Sequence, residues 1–468
     1  MTGGDLPDID PSLGVAAGLE RSWLQAIKHH VGLDRAIAFT VVARLCSGLG
    51  SVGTVLIIVR VLDPIQQGYY YALWSLVALQ SIFELGFSFV ILQLAAHERV
   101  HLNLHDNGTV TGSEAAYSRL ASILQRAVRW YAFAAVLMAI AFVAIGTRLF
   151  ALHQQVGRTD WRLPLYVTVL ACSITFSIGP VLSFLEGCGQ VAAVARTRLF
   201  QSIVGTALAW MAMLSHHGLF APAAVLVGQG LVACVFLYLR HSFLIPILRF
   251  NTSRHAIDWR REVWPFQWKI AVTWLCDYFI FQLFTPVIFA FRGPVEAGQM
   301  GLSMSAVTQL SGIVLVWMST KAAPFGNLVA QRNTRRLDQL FFRTLKQSLG
   351  LFVMGGFALL IGLLFVIKFL PTLSHRIVTW PVFLLLLLTA LSNHVVQSEA
   401  LYLRAHKCEP FFMQSIVIAS LIAGSVLLLA KPWGSLGVAV AFFIVLGVMG
   451  VISATVIFQK KRHEWEQA

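Results

Sequence analysis

The residues best placed to do chemistry are charges inside long apolar runs. Arg44 is the single charge in AIAFTVVARLCSGLGSVGTVLIIV, and Glu84 is the single charge in the run from about Tyr69 to Ala96. A charge deep in a membrane-spanning helix costs about 2.5–3.5 kcal/mol on insertion scales, so it faces a partner or a wet cavity. On the rise of ~1.5 Å per residue, Arg44 lies ~12 Å up the first run and Glu84 ~18 Å from the far end of the second. If the two runs form a hairpin, the charges lie within one or two turns of each other in depth. They are then either a lock between two helices or two walls of one polar cavity. Asp277 lies in the seventh run near the depth of Arg44 in the first.

Other polar residues stand at the ends of runs. Lys269 and Lys321 fall at the inner ends of the seventh and eighth, where a substrate's anionic group or the lipid headgroups would attract them. Glu186 and Glu399 close the fourth and tenth and are candidates for gating or salt bridges. Arg60 and Arg292 mark the outer ends of the first and seventh, and His394 in the tenth could take a proton. The six cysteines form no C-x-x-C pair and carry no metal or disulfide signal. No Walker loop, G-x-S-x-G or H-E-x-x-H occurs, so the expectation is a non-enzyme without cofactor or metal.

The elements that position these residues are apolar helices. The chain has 468 residues, is 57% hydrophobic and carries 12% charged residues. Soluble domains carry about 25% charged residues, so an all-α polytopic membrane protein is expected. Twelve runs can be drawn, roughly 36–60, 69–96, 127–150, 164–186, 199–216, 219–245, 269–292, 297–323, 347–370, 378–402, 411–430 and 434–458. Asp63-Pro64 and Gly68 read as the turn between the first two. The polar stretch from His97 to Arg126 is expected to hold a partly amphipathic helix. Gly48, Gly50 and Gly53 in the first run and Pro286 in the seventh allow close packing or bending.

Basic residues set the orientation. With the N-terminus inside, the outer segments carry Arg60, Arg148, Arg158, Arg162, Arg292, Lys368, Arg376 and Lys431. The other Lys and Arg, apart from Arg44, all fall inside, which places both termini in the cytoplasm. Topology and anionic lipid account for much of the +14 net charge without nucleic acid.

The two halves repeat. Pro294-Val-Glu-Ala-Gly298 follows the seventh run as Pro64-Ile-Gln-Gln-Gly68 follows the first. Glu186 and Gln201-Ser-Ile-Val204 reappear as Glu399 and Gln414-Ser-Ile-Val417. Six helices per half, an even number, give a parallel repeat: two six-helix lobes about a pseudo-two-fold axis along the membrane normal. The expected division is a cytoplasmic tail with an interfacial helix over 1–35, lobes over 36–245 and 269–458, a linker over 246–268 and a tail over 459–468.

The segment V-R-V-L-D-P, then Q-Q-G-Y-Y-Y-A-L-W, then Glu84-Leu85-Gly86-Phe87 resembles the Wzx-type polysaccharide exporters. These belong to the multidrug/oligosaccharidyl-lipid/polysaccharide (MOP) superfamily. Asp63-Pro64 departs from the glycine common before that turn, and the 97–126 loop is long. The resemblance implies a bacterial inner-membrane flippase that carries undecaprenyl-pyrophosphate-linked oligosaccharide by alternating access through a central cationic cavity. It also implies work alongside a polysaccharide polymerase and glycosyltransferases. Arg44, Lys269, Lys321, Arg60 and Arg292 would bind substrate, while Glu84, Asp277, Glu186 and Glu399 would couple or gate. The alternative is a cation-coupled small-molecule or drug antiporter of the same superfamily.

Overall fold

A computed structural model describes residues 48, 50, 51, 53–104, 110–153, 160–252, 256–406 and 411–467. Arg44 and the expected interfacial helix lie outside the described residues. The first described helix, α1 (53–61), leads into α2 (Pro64–Ala78). Asp63 caps α2: its carboxylate accepts from the Gln66 amide at 2.7 Å, and Gln66 Oε1 accepts from the Asp63 amide at 3.2 Å. Pro64 at the first helical position needs no donor, so the turn is set by Asp63-Pro64 alone. Gly68, expected in that turn, is helical and serves packing instead.

The second apolar run is broken. α3 (Gln80–Glu84) ends where Leu85 and Gly86 both take left-handed dihedrals (φ 49° and 67°), and α4 (Phe87–Arg99) resumes. The two parts are bent by 45°. The polar stretch that follows is a short hairpin, β1 (Leu102–Leu104) against β2 (Val110–Gly112), and then the start of a long helix. That helix, α5 (Glu114–Ala151), begins with Ser113 as its cap and runs on through the third apolar run. The expected amphipathic helix is therefore its first turns. α6 (Arg162–Gly187), α7 (Val191–Leu214) and α8 (Ala221–Leu239) complete this half.

α9 (His241–Arg249) and one turn of π-helix at Trp259–Val263 form the linker. It is strapped to α5. Gln125 Nε2 donates toward the carbonyls of Ile247, Leu248 and Phe250 at 3.3, 3.1 and 2.8 Å. Ser122 Oγ accepts from the Ile257 amide at 3.2 Å, and the Arg126 guanidinium lies 5.7 Å above Trp259. Arg119 joins Glu98 of α4 (2.8 Å) to Glu262 of the linker (2.5 Å). The Arg119 hydrogen bond holds the Glu262 carboxyl below the ordinary range.

The second half opens with another broken span, α10 (Trp264–Phe281) and α11 (Phe284–Arg292), bent by 42°. Pro286 has no N–H for the Gln282 carbonyl, so the ladder fails there. α12 (Pro294–Ser319), α13 (Ala322–Ala330), α14 (Thr334–Phe369), α15 (Pro371–Ser374), α16 (Trp380–Ala405), α17 (Phe412–Phe442) and α18 (Val451–Gln467) follow, the last two joined by a π-helical stretch at Phe443–Gly450. Gly434 (φ 57°, ψ −138°) interrupts α17. Gln414 Nε2 donates to Gly450 O at 2.7 Å and to Ser453 Oγ at 2.8 Å. A straight helix would separate these positions by ~54 Å, so the chain turns back at Gly434 and forms two spans.

Among the described residues, and with Phe412–Trp465 counted as one helix despite its turn at Gly434, seven helices are long and apolar enough to cross a membrane, or nine with each bent pair counted as one span. Their outer faces are apolar: Met354 is 71% exposed and Ile361 64% on α14. Soluble monomers rarely expose such continuous patches, whereas lipid covers them. The fold is all-α and polytopic.

The halves meet where the repeated segments meet. Gly68 of α2 lies against Pro294 and Gly298 of α12, backbone to backbone. Gln67 Nε2 ties this contact by donating to Gly298 O at 2.8 Å and to Arg376 O at 3.0 Å. Tyr69 completes it, with Phe150 and Phe289 both 5.2 Å from its ring in edge-to-face geometry.

Candidate functional site

Two adjoining cavities lie inside the bundle. The larger, about 1030 Å³, is walled by α1 and α2, by α7 and α8, and across from them by the α10–α11 break and α12. It therefore sits between the halves. Its lining combines aromatic side chains (Tyr70, Tyr71, Trp74) with Ser, Thr and Gln residues. The smaller, about 510 Å³, lies mainly within the first half, between α3–α4 and α5–α8. Gln80, Glu186, Arg198, Gln201 and Gln229 line both and form the wall between them.

The charged pair of that wall is Arg198 and Glu186, with Nη2 and Oε2 2.7 Å apart. They flank the tight connection from α6 to α7, Glu186 in the last turn of α6 and Arg198 about two turns into α7, and Gly189 between the helices takes φ 89°. Arg198 is a cavity-wall cation that sequence reading placed only among topology-setting residues. Its repeat counterpart is Phe411, so the repeat carries no hint of it.

Glu84 is half-buried and lines the smaller cavity with Ser88 and Tyr131, whose hydroxyls are 3.0 Å apart. It is the last residue before the helix break, which leaves carbonyls of α3 without helical partners. One of them, Leu85 O, accepts from Gln267 Nε2 of α10 at 2.7 Å. Gly86 faces Ile270 and Trp274 of the same helix so closely that a Cβ would stand 2.4 Å from Ile270. The Glu-Leu-Gly motif is thus a joint: an acid in the cavity wall, a carbonyl held by the other half, and a glycine that lets α10 approach.

The other predicted positions are dispersed. Glu399 is 3% exposed, accepts from Thr455 Oγ1 at 2.9 Å, and has its second oxygen buried without a hydrogen-bond partner among the described residues. Asp277 is exposed on α10 and lines neither cavity. Lys269 is exposed, its ammonium 5.9 Å from the Trp268 ring. Lys321 stands half-buried at the start of α13. Arg60 is exposed in the last turn of α1, and Arg292 pairs with Glu296 at 3.1 Å. None of these last four lines either cavity. His394 is buried and hydrogen-bonded to Ser348 at 3.0 Å. The described residues hold no cluster of His, Cys, Asp or Glu suited to a metal ion.

No family model and no curated protein matches the sequence. Solved structures do match its shape. The lipid II flippase MurJ in an inward closed conformation superposes with a TM-score of 0.57 at 12% identity, covering 92% of this chain and 90% of that one. The MATE multidrug transporter DinF-BH gives 0.52 at 14% identity, covering 92% and 95%. An outward-facing multidrug resistance MATE family transporter of the MOP superfamily gives 0.51 at 11% identity, covering 94% and 98%. The chain has the fold of these transporters over nearly its whole length.

Proposed function

We propose that the protein is a flippase for a lipid-linked oligosaccharide, moving the glycan headgroup across the membrane while the lipid tail stays in the bilayer. The observation that carries this reading is the cavity of about 1030 Å³ between the halves. Small-molecule pockets span about 300–1,000 Å³ and are mostly apolar, so this cavity stands at the top of that range and carries more polar lining than such pockets do. A hydrated headgroup needs such a compartment, because an unpaired hydroxyl costs several kcal/mol in hydrocarbon. The broken helices at Leu85-Gly86 and Gln282-Leu283 supply the joints at which the halves rearrange. Both termini and the linker face the cytoplasm in this reading, as the Lys and Arg distribution requires.

The second reading, a cation-coupled antiporter for small organic cations, draws on Glu84, an acid in the wall of a cavity. Cells lacking the gene separate the two. In the flippase reading, surface glycan falls and lipid-linked glycan accumulates in the cytoplasmic leaflet, while ethidium efflux is unchanged. Loss of ethidium efflux with normal surface glycan replaces the flippase with the antiporter. In the same cells, Arg44→Ala abolishes export, Arg44→Lys is intermediate, and Arg44→Ala with Glu84→Ala stays inactive if Arg44 meets the pyrophosphate. Recovery by the double variant makes Arg44 a helix lock.

A further inference from the structure

We propose that Arg198 contacts the phosphate of the lipid carrier and that Glu186 holds it toward the cavity; this deepens the flippase reading and rests on it. On α7, Val191, Ala195, Arg198, Ser202 and Thr206 follow one another in steps of three or four residues, and all line the larger cavity. Arg198 is the only charge among them. It lines the smaller cavity as well, where the two compartments adjoin. Its Cα lies ~10 Å from the start of a helix ~36 Å long, against a hydrocarbon core of ~30 Å. With the termini inside, the α6–α7 connection is cytoplasmic, and Arg198 stands within about two turns of the inner edge of that core. A lipid whose tail stays in the bilayer brings its phosphate close to this depth.

Pairing with Glu186 uses little of the arginine. Nη2 donates to Glu186 Oε2 at 2.7 Å. A guanidinium has five N–H donors, and the other four bond to no other described residue. Glu186 is the more enclosed partner, with 19% of its side chain exposed against 51% for Arg198. An anion in the cavity therefore meets the guanidinium before the carboxylate, and at the shorter distance attraction exceeds repulsion. The same turn holds a second cation. Gly189 has the Arg99 guanidinium where a side chain would lie, and no described acid pairs with Arg99. The connection over 186–190 thus gathers two guanidiniums against one carboxylate. Two parallel N–H bonds from the planar fork match the oxygens of a phosphate, and an arginine keeps its charge whatever the surroundings. Any lipid phosphate has this chemistry, so the substrate's pyrophosphate and a bilayer phospholipid must be told apart by experiment.

The test uses the full-length protein in phosphatidylcholine proteoliposomes carrying a polyprenyl-pyrophosphate-linked tetrasaccharide. Appearance of the glycan on the far face is followed by lectin capture, with farnesyl pyrophosphate and farnesol as competitors. Farnesyl pyrophosphate inhibits the unaltered protein at about tenfold lower concentration than farnesol, the size of one charge-assisted contact. Arg198→Gln is made together with Glu186→Gln, so that no lone carboxylate remains. This variant loses about that tenfold toward farnesyl pyrophosphate and keeps its response to farnesol. Arg198→Lys, with the charge but not the fork, falls between. If the double variant does not transport, retention of radiolabelled farnesyl pyrophosphate by monodisperse detergent-purified protein gives the same comparison. Adding phosphatidylglycerol to the vesicles separates the two sources of phosphate. Inhibition by farnesyl pyrophosphate persists if the substrate's pyrophosphate is the ligand. Its abolition by phosphatidylglycerol assigns the site to bilayer phospholipid and overturns the proposal. Equal inhibition of the unaltered and double-variant proteins also overturns it and leaves the flippase reading standing. An unaltered protein that neither transports the glycan nor retains farnesyl pyrophosphate removes both.

Discussion

Gly68 and Gly298 lie against each other across the two halves: a Cβ on Gly298 would stand 2.8 Å from the Gly68 nitrogen. A Cβ on Gly68 would fall 1.9 Å from the Pro294 carbonyl oxygen. The two glycines occupy the same position of the repeated Pro-x-x-x-Gly segment. A two-fold axis relating the halves, as the repeat leads one to expect, would have to pass close to this contact, because symmetry-related residues touch only near the axis.

That contact makes the first prediction. Gly68→Val puts two methyl groups where backbone must pass, and overpacking of this kind costs about 1–3 kcal/mol. The halves are then held apart at this end. Thiol labelling of a Ser305→Cys reporter in the cavity wall rises against the same reporter with Gly68 intact. Unchanged labelling would mean that this contact does not gate the cavity.

The joint at Leu85 makes the second. Gln267→Leu removes the 2.7 Å bond and leaves a carbonyl at the break without its partner, at a cost of about 1–3 kcal/mol. Gly86→Ala adds a left-handed penalty of about 1–2 kcal/mol and a clash with Ile270. Both variants should lower Tm and loosen α3 from α10, read as a broader distance distribution between spin labels on the two helices. If Gln267→Leu melts with the unaltered protein, the bond is not holding the break.

A third concerns the buried acid. Among the described residues no arginine pairs with Glu399 as Arg198 does with its counterpart Glu186, and Thr455 is its hydrogen-bond donor. Glu399→Gln takes away a buried ionisable group and should leave Tm unchanged or higher, whereas Thr455→Val removes a hydrogen bond and should cost about 1–2 kcal/mol of stability. In a double-mutant cycle the loss from Thr455→Val should shrink in the Glu399→Gln background. Additive effects would mean that the Thr455 bond does not support the carboxylate.

The linker strap gives a pH dependence. Arg119 lowers the Glu262 carboxyl, so this contact stabilises the fold fully above the ~4.3 of an unperturbed Glu. That contribution is lost as pH falls through the depressed folded value. The pair is partly exposed, so the effect is small and salt-sensitive. Limited proteolysis within 246–268 should accelerate on acidification below about pH 4. Glu262→Gln should be cleaved faster at neutral pH and change less with acid.

Much of the architecture follows from the order of residues alone, because lipid leaves the backbone no partner but its own helix. An apolar run of sufficient length must therefore be helical, and Pro286 must interrupt the ladder where the Gln282 carbonyl loses its donor. Asp63-Pro64 starts a helix by a local capping bond, and the repeated Pro-x-x-x-Gly segments announce two similar halves. Each of these depends on neighbours within one or two turns. What only the tertiary structure decided depends on residues far apart in sequence. The run from Tyr69 to Ala96 reads as one helix, yet Leu85 and Gly86 take left-handed dihedrals where Gln267, Ile270 and Trp274 close in from about 180 residues away. Glu186 and Glu399 look equivalent, but one lines the cavity beside Arg198 and the other is sealed under Thr455. Lys269, Lys321, Arg60 and Arg292 carry the charge that a pyrophosphate site calls for, yet none lines either cavity. Charge and hydropathy specify the depth of a side chain in the membrane; which way it faces is set by the packing of helices around it.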